Sequence, residues 1–286
     1  MPSLSSVGCA PPDVGSAPRA GLNVEDVVSA VLASKGYRTL SPEFVERVAR
    51  DACRHARRNQ DGEKETKRRL HQVSGAYAQD LPIERFVSEL EAAAGRPEAL
   101  RETARRIMRA HASTRERLDV LDHFFAGVFA LTGPPSSILD LACGFGPLAL
   151  PWMALPATAR YWAYDVDRRY LTLAETCFRV FDVAGTAMLC DVVAAPPLDE
   201  ADVALVLKSV PCLEQQTPGS AARLLRAVRA RTLVVSFPTR ALGGASKGMV
   251  STYRAMMGRL CAAQDWTIRE LLFPAELVFI VDKNVA

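Results

Sequence analysis

After Pro134-Pro135 the chain alternates short apolar runs with helical stretches, and this alternation constrains the fold more than any other feature. Runs rich in Val, Leu, Ile and Ala fall at 137–141, 160–164, 186–190, 202–207 and 231–236. Helices are predicted between them at 147–154, 168–182 and 218–229. Strands apolar along their whole length and separated by helices make βαβ units, with a parallel sheet covered on both faces. At the end, WTIRELLF and AELVFIV flank Pro274 and predict an antiparallel pair at the sheet edge.

Upstream, from about Val24 to Ala110, the pattern is helical. Ser41-Pro42-Glu43 sets an N-cap, a first-turn proline and an acid in order, opening a helix to about Arg58. Phe44, Val45, Val48, Ala52 and Ala56 fall on one side of it, and Arg47, Arg50, Arg54, Arg57 and Arg58 on the other. After an expected turn at 59–62, a second helix aligns Lys64, Lys67, Arg68 and His71. Between Arg47 and Arg69 nine basic residues stand against four acidic ones, although the net charge of the chain is only +3. Two adjacent basic faces suit a phosphate backbone, which makes Arg47, Arg50, Arg54, Arg57, Lys64, Lys67 and Arg68 the candidate contacts to a nucleic-acid backbone. The plainer alternative is two solvated helix faces. Further helices are predicted at 83–94 and 97–110. The expected division is a loose tail at 1–20, a basic helical domain at 21–111 and an α/β domain at 112–286.

The first twenty residues have neither a basic start nor an apolar run, and do not read as a signal peptide. No segment is apolar for long enough to span a membrane. The seven cysteines form no CxxC pair and no regular spacing, against a disulfide framework or zinc site. A cytoplasmic protein is expected, monomeric, with no metal, no DNA partner and no membrane association.

In ILDLACGFGPLAL (138–150) a strand becomes a glycine turn and then a helix, with Asp140, Ala142, Gly144 and Gly146 at alternate positions. A dinucleotide site would read GxGxxG; that spacing is missing, and an acid precedes the turn. The run suits S-adenosylmethionine, which has no phosphate to cradle but an amino-acid part in need of an acceptor. The next strand ends in YWAYDVD, placing Asp165 where it can accept ribose hydroxyls, and the third ends in MLCD, placing Asp191 within reach of an adenine amino group. In open parallel sheets ligands lie outside the carboxyl ends of the strands, so the three acids converge on one crevice. The fold class expected is therefore α/β: a class I, Rossmann-like S-adenosylmethionine-dependent methyltransferase domain with an N-terminal α-helical domain.

The fourth strand, ADVALVLKSVPCLE, ends in Lys208 and then Pro211-Cys212. A Pro-Cys thiolate is the nucleophile that cytosine C5 methylation needs, and a buried structural cysteine is the alternative. No Asn/Asp-Pro-Pro-aromatic turn for exocyclic amines is present. A ring nitrogen with a free lone pair needs neither nucleophile nor base, only positioning and an electrostatic site that tolerates a cationic product. Downstream, VSFPTRALGGASKGM carries Arg240 and Lys247 in a glycine-rich loop suited to closing over a target and gripping phosphates.

HASTRERLDVLDHFF, ILDLACGFGPLALPWM, LVLKSVPCLE and VSFPTRALGGASKGM, with RTLSPEFVERVAR and KRRLHQVSGAYA upstream, resemble in order and spacing the bacterial aminoglycoside-resistance 16S rRNA methyltransferases. The resemblance covers roughly residues 24–283. It implies methyl transfer from S-adenosyl-L-methionine to N7 of guanine 1405 in the 30S decoding site, and resistance to 4,6-disubstituted deoxystreptamine aminoglycosides such as gentamicin and kanamycin. By position it implies that Ser113, Thr114 and Arg115 approach the cofactor, Arg115 at its carboxylate. Ala142 and Gly144 line it, Asp165 holds the ribose, Asp191 and Val192 bracket the adenine, and Val166 and Leu207 are counted with them. Lys208, Arg240, Lys247 and Met249 belong to the target side. One departure is visible: the family turn reads CGLNPLA, and this chain has CGFGPLA, with Gly146 in place of Asn. The alternatives are methylation of another base, such as cytosine C5 through Cys212, and a non-catalytic ribosome-binding factor.

Overall fold

The computed structural model describes residues 23–54, 56, 58–74, 81–239, 248–262 and 264–283. The expected tail at 1–20 lies outside these residues.

Seven strands make one sheet in the order β3-β2-β1-β4-β5-β7-β6. β1 (Ser137–Leu141), β2 (Arg160–Asp165), β3 (Ala184–Leu189), β4 (Glu200–Leu207) and β5 (Arg229–Pro238) run parallel. β7 (Glu276–Asp282) pairs antiparallel with β5, and β6 (Thr267–Phe273) closes that edge against β7. Each strand lies within two residues of its expected position, β5 extending two residues at both ends. β3 ends at Leu189, so Cys190 and Asp191 fall just past it.

Successive strand residues supply opposite faces. Ile138, Tyr161, Val203, Val234 and Ile280 join one apolar cluster with α4 (Ile83–Ala93), α5 (Pro97–Met108), α7 (Leu121–Thr132) and α8 (Arg168–Val180). Their neighbours Leu139, Ala204, Leu233 and Phe279 join another with α9 (Val210–Gln216), α10 (Ser220–Ala227) and α11 (Met249–Leu260). A third cluster, containing Val27, Val31, Phe44, Val45, Val48 and Leu70, joins α1 (Val24–Ala33), α2 (Pro42–Cys53) and α3 (Asn59–Ser74). The expected boundary at residue 111 therefore cuts through a core: α4 and α5 pack with the sheet, while α1 to α3 have their own interior. Helical spacing shows that Phe86, Leu90, Leu100 and Ile107 are buried, but not against what.

Three local differences have physical causes. The expected turn at 59–62 is the first turn of α3. A Cβ on Gly62 would come 2.9 Å from Cys53 Sγ, so that glycine permits close approach of α2 and α3. The expected helix at 147–154 is a 3₁₀ helix, Gly146–Trp152; Pro151 lies inside it, where its ring would clash with the carbonyl four residues back in an α-helix. The helix expected at 218–229 starts at Ser220, after Gly219 turns the chain with φ 78°.

Candidate active site

A cavity opens at the carboxyl ends of β1 to β4. Asp140, Ala142 and Gly144 line it from the β1 turn, Asp165 and Val166 from β2, Asp191 and Val192 from β3, and Leu207 and Lys208 from β4. Ser113 and Thr114 reach it from α6 (Ala112–Arg115). The turn after β1 is left-handed at two positions, Ala142 with φ 55° and Gly144 with φ 48°. This exposes backbone to the cavity and lets Gly144 N donate to Asp165 Oδ2 at 2.9 Å.

Each of the three carboxylates is held. Asp140 is 2% exposed and accepts from Tyr161 Oη at 2.7 Å; burial pushes its carboxyl up to about 7, against the pull of Tyr161 and Arg117. Asp165 accepts from Gly144 N and from Asp167 N, and burial pushes it to about 6. Asp191 Oδ2 accepts from Arg47 Nε at 2.6 Å, while its Oδ1 accepts from Arg47 Nη2 at 3.2 Å and from Val193 N at 3.1 Å. Beside them His111 stacks on Phe145 at 4.9 Å, and its Nδ1 meets Ser113 Oγ at 2.9 Å. Burial first, then Lys208 and Arg115, push His111 down to about 4, so its ring is neutral near pH 7.

The structure separates some residues that the resemblance grouped. Arg115 is exposed and does not line the cavity; Arg117, two residues on, does so and is buried. Arg115 ends α6, while Arg117 lies in the turn after it, where its guanidinium donates to Glu276 Oε2 at 3.0 Å and Oε1 at 2.6 Å. Lys208 lines the cavity, but its ammonium donates inward, to Ser113 O at 3.0 Å and Glu116 Oε2 at 2.8 Å, with Glu276 Oε2 at 3.4 Å. A buried ammonium needs such partners, so Lys208 ties the Ser113–Arg117 segment to the end of β4 rather than reaching toward a target. Met249 opens α11 and is not among the lining residues. Arg240 and Lys247 lie outside the described residues.

Of the candidate RNA contacts, Arg47 is turned inward to Asp191 and to Gln216 Oε1, at 2.6 Å. Its position on α2 is one turn from Phe44, over whose ring the guanidinium sits at 5.4 Å. Arg50, Arg54, Lys64 and Arg68 are exposed and Lys67 is half-buried. Arg50 pairs with Glu46, Arg54 with Asp51, Lys67 with Glu63 and Arg68 with Glu65. Surface pairs of this kind contribute little to stability, so phosphate can replace the carboxylates. Arg50, Arg54, Arg68 and Arg69 line a groove between α2, α3 and residues 215–218. Arg57 lies outside the described residues.

Residue spacing gave no sign that the helical region forms a wall of the cavity. Gly36, Leu40 and Phe44 line it, and the backbones of 39–41 and 166–168 pair: Ser41 N donates to Val166 O at 2.7 Å and Arg168 N to Thr39 O at 2.9 Å. Phe44 was legible as apolar, and its place in the lining of this cavity was not. Cys212 also lines the cavity. Among the described residues no group of three or more His, Cys, Asp or Glu side chains could hold a metal ion. No helix among them is long and apolar enough to cross a membrane.

Residues 33–280 match the model of the ribosomal RNA methyltransferase (FmrO) family. The chain is 39% identical over 280 residues to a 16S rRNA (guanine(1405)-N(7))-methyltransferase of Frankia casuarinae, covering 96% of this chain and 97% of the relative. With the enzyme of the same name from Micromonospora echinospora it shares 36% identity, over 91% of this chain and 97% of the relative. The solved structure of the 16S rRNA methyltransferase RmtF in complex with S-adenosyl-L-homocysteine superposes with a TM-score of 0.80 at 32% identity, covering 91% and 98% of the two chains. The matches include the α1–α3 region as well as the sheet and its cavity, and the chain belongs to the FmrO family of ribosomal RNA methyltransferases.

Proposed function

We propose that this protein transfers a methyl group from S-adenosyl-L-methionine to N7 of guanine 1405 of 16S rRNA, within the decoding site of the assembled 30S subunit. The observation that carries this reading is near full-length likeness to relatives named for that reaction. The cavity fits the cofactor by its acceptor set. Three buried carboxylates facing one space suit a ligand with amino and hydroxyl groups and a positive charge, and repel a pyrophosphate. Asp140 would take the amino-acid part, Asp165 the ribose and Asp191 with Val192 the adenine. Ser113 and Thr114 would close the methionine end, held there by Lys208.

The bound cofactor supplies a methyl carbon activated by a sulfonium, which a ring nitrogen with a free lone pair takes without a general base. The residues of this chain then exclude water, hold the adenosine and present the target. Neutral His111, engaged with Ser113, belongs to that framework. The exposed basic groups of α2 and α3 dock on phosphates fixed in three dimensions by the folded subunit. We assign docking to the basic face of 21–111 and methyl transfer to 112–286, with Gly36, Leu40 and Phe44 of the first part also walling the cofactor cavity, in a cytoplasmic monomer. Methylation removes the N7 acceptor and leaves a cationic ring, which a polycationic drug meets unfavourably. Resistance to 4,6-disubstituted deoxystreptamines such as gentamicin and kanamycin follows.

The test is methyl transfer to purified 30S subunits and to free 16S rRNA with labelled cofactor, the base mapped by N7-specific strand cleavage. Cleavage at guanine 1405 only in the assembled subunit is expected. Label at another base discards the target, and subunit binding without label favours a non-catalytic factor. Cys212→Ala is expected to retain most activity; a folded, inactive variant would revive cytosine C5 chemistry.

A further inference from the structure

Asp191 has few free acceptor positions. A carboxylate offers about four lone-pair sites. Arg47 Nε occupies one on Oδ2, and Arg47 Nη2 with Val193 N occupies both on Oδ1. One site on Oδ2 remains, on a side chain that is 4% exposed and lines the cavity. Arg47 is itself held, by Gln216 Oε1 at 2.6 Å and over the Phe44 ring at 5.4 Å. Its helix, α2, is fixed at the cavity rim by the backbone pairing of 39–41 with 166–168.

We propose that Arg47 is a positioning residue of the adenosine subsite: its fork orients the Asp191 carboxylate so that one acceptor faces the adenine amino group. The helix whose outer face carries Arg50 and Arg54 thus completes the cofactor site from its inner face. This inference rests on reading the cavity as the S-adenosylmethionine site. The fork geometry matters as well as the charge, because two parallel N–H donors fix the plane of a carboxylate and a lysine ammonium does not.

The test uses the full chain and calorimetric binding of S-adenosyl-L-homocysteine, and of its analogue with hydrogen in place of the adenine amino group. Wild type is expected to prefer the natural product by about tenfold, the usual consequence of one charge-assisted hydrogen bond. Arg47→Met, which keeps the stem, should bind S-adenosyl-L-homocysteine about tenfold more weakly and lose the preference, as coupled groups do in a double-mutant cycle. Arg47→Lys should be intermediate, which keeps the inference testable where Arg47→Met fails to fold. Loss of preference for the adenine amino group is a cofactor-site readout that a change in subunit docking does not move. Unchanged affinity, or equal weakening toward both ligands with the preference kept, overturns the inference and leaves Arg47 as a structural ion pair. Failure of wild type to bind S-adenosyl-L-homocysteine overturns the cofactor reading instead, and this inference with it.

Discussion

Gly146 lies against the carboxylate of Asp140, so that a Cβ on residue 146 would overlap Asp140 Oδ2. The missing side chain at residue 146 leaves the space that Asp140 occupies. Gly146→Ala is expected to push Asp140 from Tyr161 and weaken S-adenosyl-L-homocysteine binding by roughly tenfold, about 1.4 kcal/mol. Calorimetric titration of the variant measures it, and unchanged affinity would show that Asp140 yields without loss.

Asp140 also sets a pH dependence. Its folded value of about 7 lies above the ordinary 3.8, so the native cofactor-free protein binds the proton more tightly than the unfolded chain. The stabilisation is full below about pH 4 and is lost as the pH rises to 7. A cationic amino group in the cavity favours the ionised carboxylate, so affinity for S-adenosyl-L-homocysteine should rise between pH 6 and 8. Asp140→Asn should flatten that rise. Titrations across this range check both, and the same slope in the variant would assign the proton elsewhere.

The Arg117–Glu276 pair is bidentate and almost fully buried, with side-chain exposures of 3% and 1%. Burial raises the cost of ionising Glu276, and Arg117 with Lys208 more than offsets it, holding its carboxyl below the usual range. Arg117→Met leaves that charge with Lys208 and the Ser236 hydroxyl and should cost about 3–5 kcal/mol. Urea denaturation reads the loss. A change under 1 kcal/mol would show that Lys208 and Ser236 suffice.

Arg54 and Arg68 are exposed and lie across the groove between α2 and α3. Reversing both to Glu is expected to abolish methylation of 30S subunits while S-adenosyl-L-homocysteine affinity stays within twofold. Parallel loss of both would point to misfolding of the α1–α3 core.

The order of elements was legible in the sequence because each strand and helix carries its own periodicity, and Asp140, Asp165 and Asp191 because strand ends follow from strand positions. The 3₁₀ helix at Gly146–Trp152 was hidden, although Pro151 announced it. Gly62 read as a turn because nothing local shows that Cys53 packs against it.

Arg47, Arg115 and Arg117 mark where local pattern stops. Sequence alone determined that Arg47 shares a stripe with Arg50 and Arg54, and that arginines surround the Ser113–Thr114 turn. Only the tertiary structure decided that Arg47 meets Asp191, 144 positions away, and that Arg117 rather than Arg115 is buried with Glu276, 159 positions away. Periodicity depends on neighbours within a few residues and survives in a one-dimensional reading. The partner of a buried charge depends on which surfaces the folded chain brings together, and desolvation then leaves that charge stable only where an opposite one has been placed.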